Sequence, residues 1–223
     1  MFKKVLIASA LLASFAGVQA AGSAGFGVVG TITPATCDIV LAGGGLADYG
    51  TQTTTAVKAL AVTVNSYSLG VKPIGITVTC PSALPVELAF ADNKSAQLFA
   101  VGDGYDYVRY GVGDGAGTAA IGSYDMYASS VTVDGIAPAG FLAATTGSTA
   151  WTATYGANNA GAHIIGPGHA VGFTKTAGAT VPTTLTTIGG VLQIAARVSK
   201  AYVDSSTSAI TLNGSGTITL QYL

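Results

Sequence analysis

Charge is scarce in this chain. Only 9% of its 223 residues are Asp, Glu, Lys or Arg, against roughly 25% in soluble domains. The nine basic residues form no cluster, which excludes an electrostatic nucleic-acid surface. Histidine occurs only at His163 and His169, with no thiol or carboxylate close in sequence, so nothing marks a metal site, and no cofactor is implied. There are two cysteines, Cys37 and Cys80. Beyond the first twenty residues no apolar run approaches the roughly 20 residues needed to cross a bilayer as a helix. What is abundant is Gly, Thr, Ala and Val, with an apolar fraction of 49%. That suffices for a core and suits a protein whose surface is largely covered by copies of itself.

Residues 1–20 read as an export leader. Lys3 and Lys4 supply its positive start, Val5 to Ala16 its apolar stretch, and Val18-Gln19-Ala20 its small-residue cleavage site. The mature chain then holds seven basic and ten acidic residues, a net charge of −3. An even cysteine count in an exported chain predicts a disulfide. Closing its 44-residue loop is worth about 4 kcal/mol by chain entropy.

Period-2 alternation recurs along the chain and predicts an all-β fold. Phe26-Gly-Val28-Val-Gly30-Thr-Ile32-Thr alternates just after the leader and stops at Pro34. Ala35–Leu41 is a second strand candidate, ended by Gly43-Gly44-Gly45. Ile74-Gly-Ile76-Thr-Val78-Thr-Cys80 puts its even-numbered side chains on one face, and Val86-Glu-Leu88-Ala-Phe90 alternates after Pro81 and Pro85. Between 101 and 178, Tyr105–Tyr110, Ser123–Tyr127, Ser130–Val133 and Trp151–Tyr155 are short candidates separated by turn dipeptides. Val191–Lys200 fits a strand better than a helix among so much Thr and Gly. Ile210–Leu212 and the terminal run Gly216–Leu223 complete the set. Many short strands with frequent turns predict a sandwich or barrel.

Patterns that carry chemistry elsewhere lack their setting here. Gly25-Phe-Gly27-Val-Val-Gly30 matches a dinucleotide fingerprint, but no strand precedes it and no helix follows. Ala21-Gly-Ser23-Ala-Gly25 falls short of a nucleophile elbow. Asp103, Asp106 and Asp114 fit no calcium-loop spacing and read as turn residues. Tyr105, Tyr107, Tyr110, Tyr124, Tyr127 and Trp151 suit strand packing better than a sugar-binding surface. The expectation is a protein that is not an enzyme.

An export leader, an alternating segment with a glycine before the first cysteine, a second cysteine closing a strand, and an alternating C-terminus with penultimate Tyr222 together resemble a chaperone–usher fimbrial subunit. Gly30–Cys37, Asp48-Tyr49-Gly50 and the closing Leu-Gln-Tyr-Leu are similar to a less characterised, fimbria-like branch. The resemblance implies an incomplete immunoglobulin-like β-sandwich, residues 34–223, completed by a donated N-terminal strand, residues 21–33 of a neighbouring subunit. Phe26, Val28, Gly30 and Ile32 match the inward positions of the donated strand. Gly216, Ile218, Leu220 and Tyr222 match the strand that borders the groove and pairs with the chaperone. Cys37 and Cys80 match the family disulfide. Where the family carries a glycine fourteen residues from the end, this chain has Ile210, and the nearest glycine is Gly214. The implied partners are copies of itself, a periplasmic chaperone and an outer-membrane usher, with no nucleic acid and no membrane insertion. The implied role is a fibre subunit exported through the periplasm to the cell surface, for adhesion or biofilm formation. The alternative is a secreted or tip-located adhesin that holds a ligand with its Tyr-rich middle; an outer-membrane barrel is a weaker one.

Overall fold

The computed structural model describes residues 27–31, 36–114, 119–153 and 163–223. The leader, Phe26 and Ile32 lie outside the described residues. The chain divides into two units, Met1–Pro34 and Ala35–Leu223, and the architecture that follows is that of the second.

Its strands are β1 (Asp38–Leu41), β2 (Val62–Thr63), β3 (Ser66–Asp92), β4 (Tyr110–Gly113), β5 (Ala120–Val133) and β6 (Gly140–Thr145). They continue with β7 (Thr152–Ala153), β8 (His163–Ile164), β9 (His169–Thr174), β10 (Thr184–Ser199), β11 (Asn213–Gly214) and β12 (Gly216–Tyr222). Two short helices, α1 (Thr54–Lys58) and α2 (Lys200–Ser205), are capped by the hydroxyls of Thr53 and Ser199.

The pairings form one network that β3 folds into two layers. From Ser66 to Pro85, β3 pairs with β10, which pairs with β5 and through it β4 and β11; β1 lies on the other side of β3. From Val86 to Asp92, β3 instead pairs with β12 on one side and, at Leu88 and Ala89, with β9 on the other; β9 leads on to β6 and β7. Pro81 and Pro85 bracket the crossover, where a missing N–H costs the ladder least. Ile74, Ile76, Val78 and Cys80 from the first layer share one core with Val86, Leu88 and Phe90 from the second. The fold is therefore all-β, as the alternation predicts, with the two-layer antiparallel architecture of an immunoglobulin-like sandwich. Cys37 and Cys80 are bridged, tying the start of β1 to β3.

Three stretches differ from the sequence expectation. Tyr105–Tyr110 is no strand: Asp106–Val108 is a 3-10 turn, and the strand starts at Tyr110. The side chains of Asp103 and Asp106 reach back to Arg109, which holds the turn. Ser123–Tyr127 and Ser130–Val133 are one strand, β5, in which Ser130 takes φ +50° near a register shift against β10. Ile210–Leu212 belongs to no strand; Ile210 packs on a small satellite cluster of Val57, Tyr67, Val198 and Val203. Val191–Lys200 is strand up to Ser199, where α2 takes over.

Candidate functional site

The site is a seam along the sandwich edge, and β12 is one of its walls. Asn93 N–H donates to Ser215 O and Leu223 N–H to Pro85 O, each at 3.0 Å. With Gly216 opposite Asp92 and Tyr222 opposite Val86, odd-numbered residues of β12 make the ladder to β3. The N–H and C=O groups of Gly216, Ile218, Leu220 and Tyr222 therefore point to the opposite edge. Among the described residues no strand pairs there. Side chains alternate with the same period, so these four share a face. That face is the inner one, because Ile218 and Leu220 pack, half-buried, against the main core. The inward apolar side chains of Ile218 and Leu220 thus belong to residues whose main chain is unpaired.

β1 forms the facing wall. It starts beside the end of β12, where Cys37 N–H donates to the Tyr222 hydroxyl at 2.7 Å. It ends at Leu41, after which Gly43, Gly44 and Gly45 take φ of 61°, 67° and 76°, a backbone that residues with a Cβ adopt only under strain. This turn sends residues 46–54 past the start of β12. There the seam widens into a cavity of about 290 Å³ over Ile74, Tyr124 and Ile194, then one of about 810 Å³ over Val57, Leu69, Val198 and Val203.

Tyr49 of the Asp48-Tyr49-Gly50 motif holds this wall in place. Between Ala195 and Arg197 the β10 register on β3 slips, leaving the Ala196 N–H without a partner on β3. The Tyr49 hydroxyl accepts from it at 3.1 Å and donates to Ile194 O at 2.6 Å. Burial pushes the phenol pKa up, opposed by the Ala196 hydrogen bond. Asp48 accepts from the Gly50 N–H at 2.7 Å, and Gly50 has φ +64°. Sequence alone resembled a motif here without its mechanism, because the partners lie about 145 residues away.

Each expected site residue falls as follows. Gly216, Ile218, Leu220 and Tyr222 come together on β12. Val28 and Gly30 lie in the other unit, in no helix or strand. Val28 is 91% exposed and its neighbour Val29 96%, two apolar side chains left to water. Phe26 and Ile32 are outside the described residues.

Behind the smaller cavity, which Arg197 helps to line, the sequence reading missed an ionic cluster. Arg109, 3% exposed, holds both oxygens of Asp103 at 2.6 Å, Asp106 at 2.7 Å and Asp125 at 3.0 Å. Arg197 pairs with the same Asp125. The Arg109 hydrogen bond holds the Asp103 carboxyl down at about 2, whereas burial pushes Asp125 up against the two guanidiniums. The paired Asp103 and Asp106 have structural work, and no group of ligands suited to a metal occurs among the described residues. The tyrosines do not make one platform: Tyr110 and Tyr124, directly opposed on β4 and β5, stack at 4.9 Å with Tyr110 buried. Tyr105 and Tyr107 are exposed on the turn. No helix among the described residues is long and apolar enough to cross a membrane.

Residues 26–125 match the model of a family described as a protein of unknown function, DUF1120. That stretch takes in both cysteines, β1, β3 and the Arg109 cluster as far as Asp125. No curated protein and no solved structure matches the chain.

Proposed function

We propose that this protein is the structural subunit of a surface fibre, of the chaperone–usher kind, polymerised head to tail by donor-strand exchange. The observation that carries the reading is the open edge of β12, where four residues turn their main chain outward and two of them, Ile218 and Leu220, turn apolar side chains to the core. A strand added there gains up to eight main-chain hydrogen bonds, at about 1 kcal/mol net each. Phe26, Val28 and Ile32 of the incoming segment add roughly 5–9 kcal/mol, against roughly 10–20 kcal/mol to order about ten residues. Side chains alone lose; side chains and ladder together reach balance, and closure of Ile218 and Leu220 from water favours exchange. An edge left open invites aggregation, which accounts for a chaperone before assembly.

Covalent geometry favours a neighbouring copy as donor. Cys37 lies at the Tyr222 end of the seam. A segment from the same copy running antiparallel to β12 would finish at Gly216, about 20 Å from its own Cys37 at roughly 3.3 Å per residue. The five Cα steps from residue 32 to Cys37 span at most about 18 Å. A strand passed between copies gives an open filament instead of a closed ring.

The test is electron microscopy of the purified protein beside a variant lacking residues 21–33. The expected result is fibres from the full chain and folded, unpolymerised protein from the deletion. Normal fibres from the deletion would refute the donor assignment.

A further inference from the structure

The cavity end of the seam has no role in strand pairing, since it lies beyond Gly216. Resting on the exchange reading, we propose that it is a second contact between consecutive copies: the pole formed by residues 46–54 and 206–212 of one copy is covered by the Cys37–Tyr222 pole of the next.

Polarity carries the inference. Every pairing between the named strands is antiparallel, and antiparallel ladders are the more stable per residue. A strand added to β12 in the same sense runs from the Tyr222 end towards Gly216. The seven residues 26–32 equal the seven of β12, so residue 32 of the donor ends opposite Gly216. Only residues 33–36 then separate it from Cys37 of the donating copy, and the five Cα steps from residue 32 to Cys37 span at most about 18 Å. Cys37 of that copy must therefore sit close to the cavities of about 290 and 810 Å³ that open past Gly216.

What surrounds Cys37 suits that position. It is hydrogen-bonded to the Tyr222 hydroxyl and bridged to Cys80, so the exposed β3 residues Pro81, Ser82 and Ala83 and the side chains of Tyr222 and Leu223 stand at the same pole. Residues 81–85 and 222–223 carry no charged side chain, and residues 46–54 and 206–212 carry only Asp48. The cavity has an apolar floor of Val57, Leu69, Val198 and Val203 under a rim of Thr and Ser. The concave pole is apolar at its floor, with Asp48 exposed on its rim and Arg197, already paired with Asp125, beside the smaller cavity; the other presents exposed Leu223, so the two can bury each other with little ion desolvation.

The experiment uses full-length protein assembled into fibres, with cysteines introduced at the exposed positions Ser82 and Ser208 and a short bis-maleimide as the cross-linker. S82C/S208C fibres are expected to give a ladder of covalent dimers, trimers and higher species on a denaturing gel, with S82C alone and S208C alone giving none. T51C/S82C is a second pair on the same two poles, and its ladder decides the matter if the first variant fails to assemble. Fibres in which neither pair cross-links would overturn the contact. A dimer from S82C alone would overturn it by showing like poles together, the result of a parallel donor. Wild-type protein that forms no fibre refutes the exchange reading itself, and the pole contact falls with it; the fibre micrographs separate that failure from the other two.

Discussion

Two regions of this sandwich treat their polar groups in opposite ways. Around Arg109, three carboxylates and two guanidiniums are gathered into one cluster, and Arg109 and Asp125 are withdrawn almost completely from water. Along β12, which carries no charged side chain of its own, main-chain groups and two apolar side chains are left half-open. In a chain with so few ionisable residues, the difference marks, on the exchange reading proposed above, where the fold is finished within one copy and where it is not. Buried ion pairs fix a unique local structure because a partner's loss leaves an uncompensated charge. An open apolar edge fixes nothing until a strand arrives.

The largest effect expected from breaking this comparison is on assembly. Ile218→Ser with Leu220→Ser should abolish fibres while shifting the melting temperature of the unpolymerised domain little, because these side chains are only half-buried before exchange. Electron microscopy beside thermal unfolding checks it, and fibres from the double variant would count against the seam. At the other region the order reverses. Arg109→Met should cost about 3–5 kcal/mol of stability by leaving three carboxylates, Asp103, Asp106 and Asp125, with Arg197 as the one remaining guanidinium of the cluster, read by denaturant unfolding of the extension-deleted domain.

Acid sharpens the contrast. The Asp103 carboxyl is held at about 2 by its hydrogen bonds from Arg109, below its unfolded value near 3.9. A depressed acid contributes stability above the unfolded value and loses it as pH falls towards the folded one. Up to about 2.5 kcal/mol should therefore disappear between pH 5 and pH 2. Asp103→Asn should flatten that part of the stability–pH curve, and an unchanged slope would reassign the acid sensitivity. Smaller still, Tyr49→Phe strands the Ala196 N–H and Ile194 O and should cost about 1–2 kcal/mol, with faster exchange at Ala196 by NMR. Tyr222→Phe removes one hydrogen bond, to Cys37 N–H, and should cost about 1 kcal/mol.

The seam was more legible in the sequence than the cluster. Alternation is a local signal, so Ile74–Cys80, Val86–Phe90 and Gly216–Tyr222 could be placed on strands with the correct face inward. The disulfide followed from two cysteines behind a segment that reads as an export leader. The Arg109 cluster had no such signature, since Asp125 lies sixteen residues away and Arg197 belongs to another strand. Asp103 and Asp106 beside Gly102 and Gly104 carried a turn signal, yet the alternating tyrosines that follow read as strand. Local pattern set the two against each other, and the Arg109 pairing decided it. Tyr49 was visible only as part of a resemblance, because the slipped register it caps exists only once β10 has paired with β3.

The central claim is that β12 is half-paired in the single copy and fully paired in the fibre. Residue-resolved amide exchange on β12, before and after assembly, tests it most directly. The amides of Thr217, Thr219 and Gln221 should be protected in both states, and those of Ile218, Leu220 and Tyr222 should exchange rapidly in the unassembled domain and become protected in the fibre. Equal protection of both sets before assembly, or no change on assembly, would contradict it.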